Sequence, residues 1–170
     1  LFTFFMLAGI PTVAFAHSPW GQYHVYRQKH LLILSSRDDE PSYPFSKILA
    51  DYLAAAVPSS KARPARAINI KRVYNLLLTN QFQFVLLSRD KIDMMRKAVG
   101  EFIDHEKVDL RTVYIFGDLE FAVRADFPEE LVAIVTHGIM ESLSKLPQAS
   151  KVKKVINSKY LHPGSLKALK

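Results

Sequence analysis

FVLLSRDKIDMMRKAVGEF, residues 84–102, and VDLRTVYIFGDLEFAVRAD, residues 108–126, are the two stretches that decide the fold. The first opens on an apolar run of strand type that stops at Ser88, Arg89 and Asp90. These polar residues suit the end of a strand and the beginning of a helix. Ligands of open α/β sheets bind at the carboxyl ends of strands, where such polar loops gather. We therefore expect the functional site at this strand end.

The second stretch holds two β-rich runs joined by Gly117-Asp118, which predicts a pair of strands. Over the rest of the chain, the spacing of apolar residues predicts strands and helices in alternation. The predicted strands are residues 30–36, 67–70, 84–88, 112–116 and 119–125, and the predicted helices are residues 43–57, 70–80, 91–99 and 127–146. This order indicates the α/β class, with a three-layer open sheet of mostly parallel strands and right-handed crossovers.

Length and composition indicate one globular domain, with 170 residues of which 49% are hydrophobic and 23% charged. The absence of cysteine excludes disulfides, thiol nucleophiles and cysteine-ligated metal. The net charge of +7 suits an anionic partner, but basic residues occur along the whole chain and single out none. The basic stretch at residues 61–72 is interpreted as a solvated face, because no nucleic-acid motif accompanies it.

The first 16 residues, LFTFFMLAGIPTVAFA, are apolar and uncharged and end in a small-x-small pattern. This pattern predicts a secretory signal peptide cleaved after Ala16, and hence a periplasmic protein. An uncleaved anchor or a buried helix is the alternative. We divide the rest into an extended arm at residues 17–30, a single lobe at residues 31–146 and a basic C-terminal segment at residues 147–170.

An ordered series of short motifs carries a family resemblance. Ser42-Tyr43-Pro44-Phe45 precedes a helix, a Ser-Arg-Asp turn at residues 88–90 opens another, and FAVRAD at residues 121–126 ends a strand pair. PEELV at residues 128–132 and His-Pro-Gly at residues 162–164 complete the series. The chain resembles the first lobe of TAXI-type solute-binding proteins, the receptors of one class of TRAP transporter. The resemblance implies one lobe of a type II periplasmic binding protein, export, a small carboxylate solute and a membrane transporter as partner.

The sequence departs from that family in two ways. The family's second lobe would follow the FAVRAD strand, but Asp126 runs directly into the next predicted helix. Residues 37–40, RDDE, stand where the family has a glycine-rich loop. An alternative is therefore a periplasmic interaction module, or a homodimer that rebuilds a cleft, without a role in transport. That alternative predicts an apolar patch beside residues 121–124.

Candidate ligand-binding residues lie on the predicted strand-end loops. Two arginines on adjacent loops, Arg37 and Arg89, suit a bidentate clamp on a carboxylate. Hydroxyls and a helix N-terminus add donors, and an aromatic ring adds a stacking surface. The predicted site residues are Ser35, Ser36, Arg37, Tyr43, Ser88, Arg89 and Asp90. The alternative is that Arg37 pairs with Asp39 and Arg89 with Asp93 on a solvated rim.

Other chemistry has weaker support. The acidic run at residues 38–40 is interpreted as a solvated loop, since it lacks the spacing of a calcium loop. His17 would become the N-terminal residue after cleavage, and its amine and imidazole, with His24 or His30, suit copper. No nucleophile elbow, P-loop or dinucleotide fingerprint occurs. We therefore predict a non-enzymatic binding domain without a cofactor.

Overall fold

The computed structural model describes residues 30–170. The predicted signal peptide, nearly all of the arm and the proposed copper ligands His17 and His24 lie outside the described residues. Within residues 30–170, no helix has both the length and the apolarity that a membrane crossing requires.

The described chain alternates strands and helices as the periodicity predicts. The strands are β1 (Leu32–Ser36), β2 (Arg63–Ala67), β3 (Phe84–Ser88), β4 (Leu110–Phe116) and β5 (Leu119–Arg124). The α-helices are α1 (Ser42–Ala56), α2 (Ile70–Leu78), α3 (Arg89–Lys97), α4 (Glu129–Glu141), α5 (Val152–Ile156) and α6 (Pro163–Leu169). Short 3-10 turns occur at Pro58–Ser60 and Gly100–Phe102.

The five strands form one open sheet in the order β2-β1-β3-β5-β4. β1 pairs in parallel with β2 and with β3, while β5 is antiparallel to both β3 and β4. Four of the five strands therefore run in the same direction, which confirms the predicted α/β class and the mostly parallel sheet. The carboxyl ends of β1, β2, β3 and β4 share one edge of the sheet, together with the turn into β5.

Helices cover both faces of the sheet and produce the three predicted layers. The core on one face includes Leu49 of α1, Phe121 of β5 and Val135 of α4. The core on the other face includes Leu77 of α2 and Ile92 of α3. All five side chains have no exposed surface. Burial at about 25 cal/mol per Å² of apolar surface is the main force that holds the three layers together.

Strand β2 lies at residues 63–67, earlier than the predicted strand at residues 67–70. Its sequence, RPARA, has low strand propensity, but it pairs in register with β1 from Leu32–Arg63 to Ser36–Ala67. Proline is tolerated because β2 is an edge strand, with one row of backbone groups that pairs with no other strand. Proline and charged arginines on such an edge also discourage pairing with other protein chains. Tertiary pairing has here overridden local propensity.

The basic C-terminal segment is folded onto the domain. Backbone hydrogen bonds join Thr112 of β4 to Tyr160 (2.8 Å) and to His162 (2.9 Å). Val155 of α5 is fully buried, and α6 packs against α4. The sequence did not predict α5 and α6, because helices of five and seven residues are too short to show apolar periodicity.

His162 begins α6 as a buried neutral side chain. Its Nδ1 accepts a hydrogen bond from the Gly164 amide (3.1 Å), and only 1% of the residue is exposed. Burial lowers the pKa of His162 below its ordinary value of 6.5. The backbone of Phe127 and the carboxylate of Glu129 oppose this shift, whereas Arg111 reinforces it.

We expect the free energy of unfolding to fall as the pH drops below about 6.5, the ordinary imidazole value. The unfolded chain then binds a proton that the folded ring resists, so His162 favours folding fully above that pH and progressively less below it. Urea unfolding at a series of pH values checks this. His162→Asn retains an acceptor for the Gly164 amide but does not titrate, so its unfolding free energy should depend less on pH. If the unfolding free energies of His162→Asn and of the unmodified protein change equally with pH, His162 is not the group responsible.

Candidate functional site

The predicted site lies between β1 and β3, where the strand order switches: β2 is added on one side of β1 and β3 on the other. After β1 the chain enters α1 on one face, and after β3 it enters α3 on the other face. The carboxyl ends of β1 and β3 are adjacent because these strands pair directly. Such a topological switch point is the usual ligand position in open α/β sheets.

Two carboxylates from the loop after β1 tie this edge together. Asp39 is 6% exposed and accepts hydrogen bonds from the Ser88 amide (2.8 Å) and the Ser88 hydroxyl. Asp38 accepts a hydrogen bond from the Ile70 amide (3.3 Å) at the beginning of α2. The interpretation of this acidic run as a solvated loop is therefore wrong for Asp39, which links β1 to β3. Within residues 30–170, no group of three or more acidic or histidine side chains is placed to hold a metal.

The predicted serine donors already have partners within the protein. The Ser35 hydroxyl donates to the Ala65 carbonyl of β2 (2.9 Å), and Ser36 Oγ accepts from the Asp38 amide (3.3 Å). The Ser88 hydroxyl is held by Asp39. The protein's own carboxylate thus occupies the position between β1 and β3 that an external carboxylate would need. A ligand anion must rely on the arginines instead.

Arg37 and Arg89 are exposed and follow the two adjacent strands. Neither guanidinium forms an ion pair with a residue between 30 and 170; Asp39 binds Ser88, and Asp93 pairs with Arg96 and Lys97. The alternative pairing of Arg37 with Asp39 and Arg89 with Asp93 is therefore absent. Within the described residues, neither cation is neutralised by a carboxylate.

The other two predicted residues differ in their surroundings. Tyr43 is half-buried, and the Arg66 guanidinium of β2 lies 4.7 Å from the centre of its ring. This cation–π contact covers one face of the ring. Asp90 is exposed in the first turn of α3, where a carboxylate interacts favourably with the helix dipole. Neither arrangement by itself assigns a ligand.

An apolar cavity of about 390 Å³ opens beside the β3–α3 junction. Its apolar lining consists of Pro41, Pro44, Phe45, Ile48 and Leu119. Its polar lining consists of Ser88, Asp118 and Gln148. The volume and the few polar groups are typical of pockets for small organic molecules. Ser88 is the one predicted site residue that contributes to this lining.

A second, polar cavity of about 250 Å³ lies next to the same junction, and Arg89 contributes to it. Helix α3 supplies Arg89, Asp93 and Arg96, and the β4–β5 pair supplies Ile115 and Glu120. The C-terminal segment supplies Lys154, Asn157, Ser158, Lys159 and Tyr160. We name these two spaces the apolar cavity and the polar cavity. Ser88 and Arg89 are neighbours in sequence, yet each contributes to a different cavity.

A buried ion pair between Arg96 and Glu120 is part of the lining of the polar cavity. Glu120 is 3% exposed and Arg96 is 9% exposed. Every N–H of the guanidinium has an acceptor, namely Glu120, Thr112, Asp93 and the Leu110 carbonyl. The Tyr160 ring lies 4.5 Å from the guanidinium carbon. Sequence reasoning missed this network, although a single acid inside an apolar strand was a usable signal.

The FAVRAD stretch has a structural role. Phe121, Ala122 and Val123 are fully buried, so no exposed apolar patch is formed by these three side chains. Arg124 donates two hydrogen bonds to Asp126 (3.0 and 2.8 Å) and one to the Leu77 carbonyl near the end of α2 (2.6 Å). Hydrogen bonds from Arg124 hold the pKa of Asp126 below its ordinary value. This motif therefore connects β5 to α2.

No protein-family model and no curated protein sequence matches this chain. The resemblance to TAXI-type receptors thus stays a prediction from the motif order.

Proposed function

We propose that this protein binds a small organic acid at the carboxyl edge of its sheet, as a single lobe of the solute-binding type. The observation that carries the proposal is the apolar cavity at the switch point. Arg37 in the loop after β1 and Arg89 at the start of α3 lie outside the cavity lining, and neither forms an ion pair with a residue between 30 and 170. The apolar body of the solute would fill the cavity between Phe45 and Leu119. Its carboxylate would meet one or both guanidiniums, which bind carboxylates in a bidentate manner.

The resemblance to TAXI-type receptors supports the same class of solute. It also leads us to propose export, with residues 1–16 as the signal peptide, and a membrane transporter or a second copy of the chain as partner. A lobe that binds alone has no facing lobe to close over the solute, so we expect weaker binding than hinge closure would give.

The experiment is isothermal titration calorimetry of the protein with a series of linear and aromatic monocarboxylates. We expect binding that strengthens with the apolar size of the acid. Ile48→Glu places a charge in the cavity lining at a residue that is already 38% exposed, so folding should be little affected. It should weaken binding about tenfold or more, as should Arg37→Ala or Arg89→Ala, because a charge-assisted hydrogen bond is worth about 1.5–3 kcal/mol.

The matched control is Arg63→Ala, which removes an exposed arginine from the opposite end of edge strand β2. It should leave the affinity unchanged. No heat of binding with any acid, or equal affinities for Ile48→Glu and the unmodified protein, would overturn the proposal.

A further inference from the structure

Basic residues occur along the whole chain, but the net positive charge is concentrated at one end of it. Residues 142–170 contain seven lysines and no acid, whereas the remaining chain has 23 − 7 = 16 basic and 16 acidic residues. The excess of seven positive charges therefore belongs to residues 142–170, and six of the seven lysines lie in the C-terminal segment. Lys154 and Lys159 of this segment, with Arg89 of α3, contribute to the polar cavity.

The acids of the polar cavity are already neutralised. Glu120 binds Arg96, and Asp93 binds Arg96 and Lys97. Arg96 in turn has no N–H left for a ligand. Arg89, Lys154 and Lys159, by contrast, form no ion pair with any residue between 30 and 170. Three uncompensated cations thus surround one concave space, which concentrates a positive field there.

The cations are held in place by the fold. The C-terminal segment is fixed to β4 by backbone hydrogen bonds on both sides of Thr112, and the Ser158 hydroxyl is 3.2 Å from the Thr112 hydroxyl. The Lys159 ammonium lies 5.4 Å from the centre of the Tyr160 ring, and the Arg96 guanidinium contacts the same ring. The side chains of Asn157 and Ser158 add hydrogen-bonding groups between the lysines.

We propose that the polar cavity is a binding site for a phosphoryl group, as inorganic phosphate or a small phosphomonoester. A carboxylate needs one guanidinium, whereas a phosphoryl dianion has three oxygens that match three cations from two different elements. The volume of about 250 Å³ accommodates phosphate with a small organic substituent. The polar cavity and the apolar cavity have no lining residue in common. Only Arg89 also takes part in the function proposed above, so variants of Lys154 and Lys159 test this site on its own.

The test is calorimetry with inorganic phosphate, with glycerol 3-phosphate and with acetate, all at the same ionic strength and pH 7.5. We expect both phosphoryl compounds to bind and acetate to bind far more weakly. The double variant Lys154→Gln/Lys159→Gln should weaken phosphate binding by tenfold or more, since each charge-assisted hydrogen bond contributes a factor of about ten. The matched control Lys151→Gln/Lys153→Gln removes the same charge from exposed positions outside the cavity. It should change the affinity less than about twofold.

Vesicles of phosphatidylcholine that contain phosphatidic acid present the same group on a lipid. If glycerol 3-phosphate displaces the protein from these vesicles, the polar cavity binds a phosphoryl group from a lipid headgroup as well as from a soluble compound. If the protein binds soluble phosphate but no vesicles, the ligand is a soluble compound. An equal loss of phosphate affinity in Lys154→Gln/Lys159→Gln and in Lys151→Gln/Lys153→Gln would show only a general attraction of anions to a basic surface. That result, or no binding of any phosphoryl compound, would overturn the proposal.

Discussion

Replacing Glu120 with alanine is expected to lower the free energy of unfolding by about 3–5 kcal/mol. Glu120 is the main partner of Arg96, and both side chains are almost fully buried. Without the carboxylate, the guanidinium keeps its desolvation cost but loses two charge-assisted hydrogen bonds, and Thr112 loses the acceptor of its hydroxyl (2.6 Å). Removal of one member of a buried ion pair is among the most destabilising of single substitutions. Urea unfolding at pH 7 measures the loss.

Two further variants separate the ion pair from the general effect of losing a side chain. Arg96→Met/Glu120→Leu replaces both charges with apolar groups and should recover much of the loss, because no buried charge is then left unpaired. Asp109→Ala removes the exposed ion pair with Arg111 and should change the unfolding free energy by less than about 1 kcal/mol. A loss below about 1 kcal/mol for Glu120→Ala would contradict a buried ion pair between Glu120 and Arg96.

The general fold could be predicted because its signals are local. Apolar periodicity placed α1, α2, α3 and the β4–β5 pair close to their observed bounds. The position of the site followed from one topological rule, since parallel strands bring their carboxyl ends to one edge. Both arginines of the predicted clamp do lie at that edge and are exposed.

The contacts that complete the site are long-range, and single-sequence patterns do not contain them. Asp39 and Ser88 are 49 positions apart, and Arg96 and Glu120 are 24 positions apart. An arginine in the last turn of a helix normally interacts with solvent and with the helix dipole, so nothing local marks Arg96 as buried. The C-terminal cations of the polar cavity were missed because the path of residues 147–170 depends on the pairing with β4.

The His-Pro-Gly turn at residues 162–164 is visible in the sequence as a motif, and the structure gives its physical basis. His162 caps α6, Pro163 occupies the first helical turn, and Gly164 faces α4. A Cβ atom at Gly164 would lie 2.2 Å from the Glu129 carbonyl oxygen and 2.9 Å from Val132 Cβ. Glycine is therefore required by the close approach of α6 to α4.

Gly164→Ala is accordingly expected to destabilise the protein by about 3 kcal/mol, the upper part of the range for overpacking. The obstacle is backbone, which cannot rotate away as a side chain can. Alanine otherwise favours a helix over glycine by up to about 1 kcal/mol, so the steric cost must exceed that gain. Thermal unfolding should show a lower melting temperature for the variant, and Val132→Ala should not restore it, because the Glu129 carbonyl remains.

Gly138→Ala in α4 is the matched comparison. Its new methyl would meet the ends of two side chains, Val57 Cγ2 at 2.8 Å and Leu53 Cδ2 at 3.1 Å. Side chains can adjust by a few tenths of an ångström, so the loss should be clearly smaller than at Gly164. A Gly164→Ala protein as stable as the unmodified protein would mean that α6 can shift away from α4 to make room for the methyl group. The backbone hydrogen bond between His162 and Thr112, which holds the C-terminal segment and its lysines beside β4, would then not fix the polar cavity.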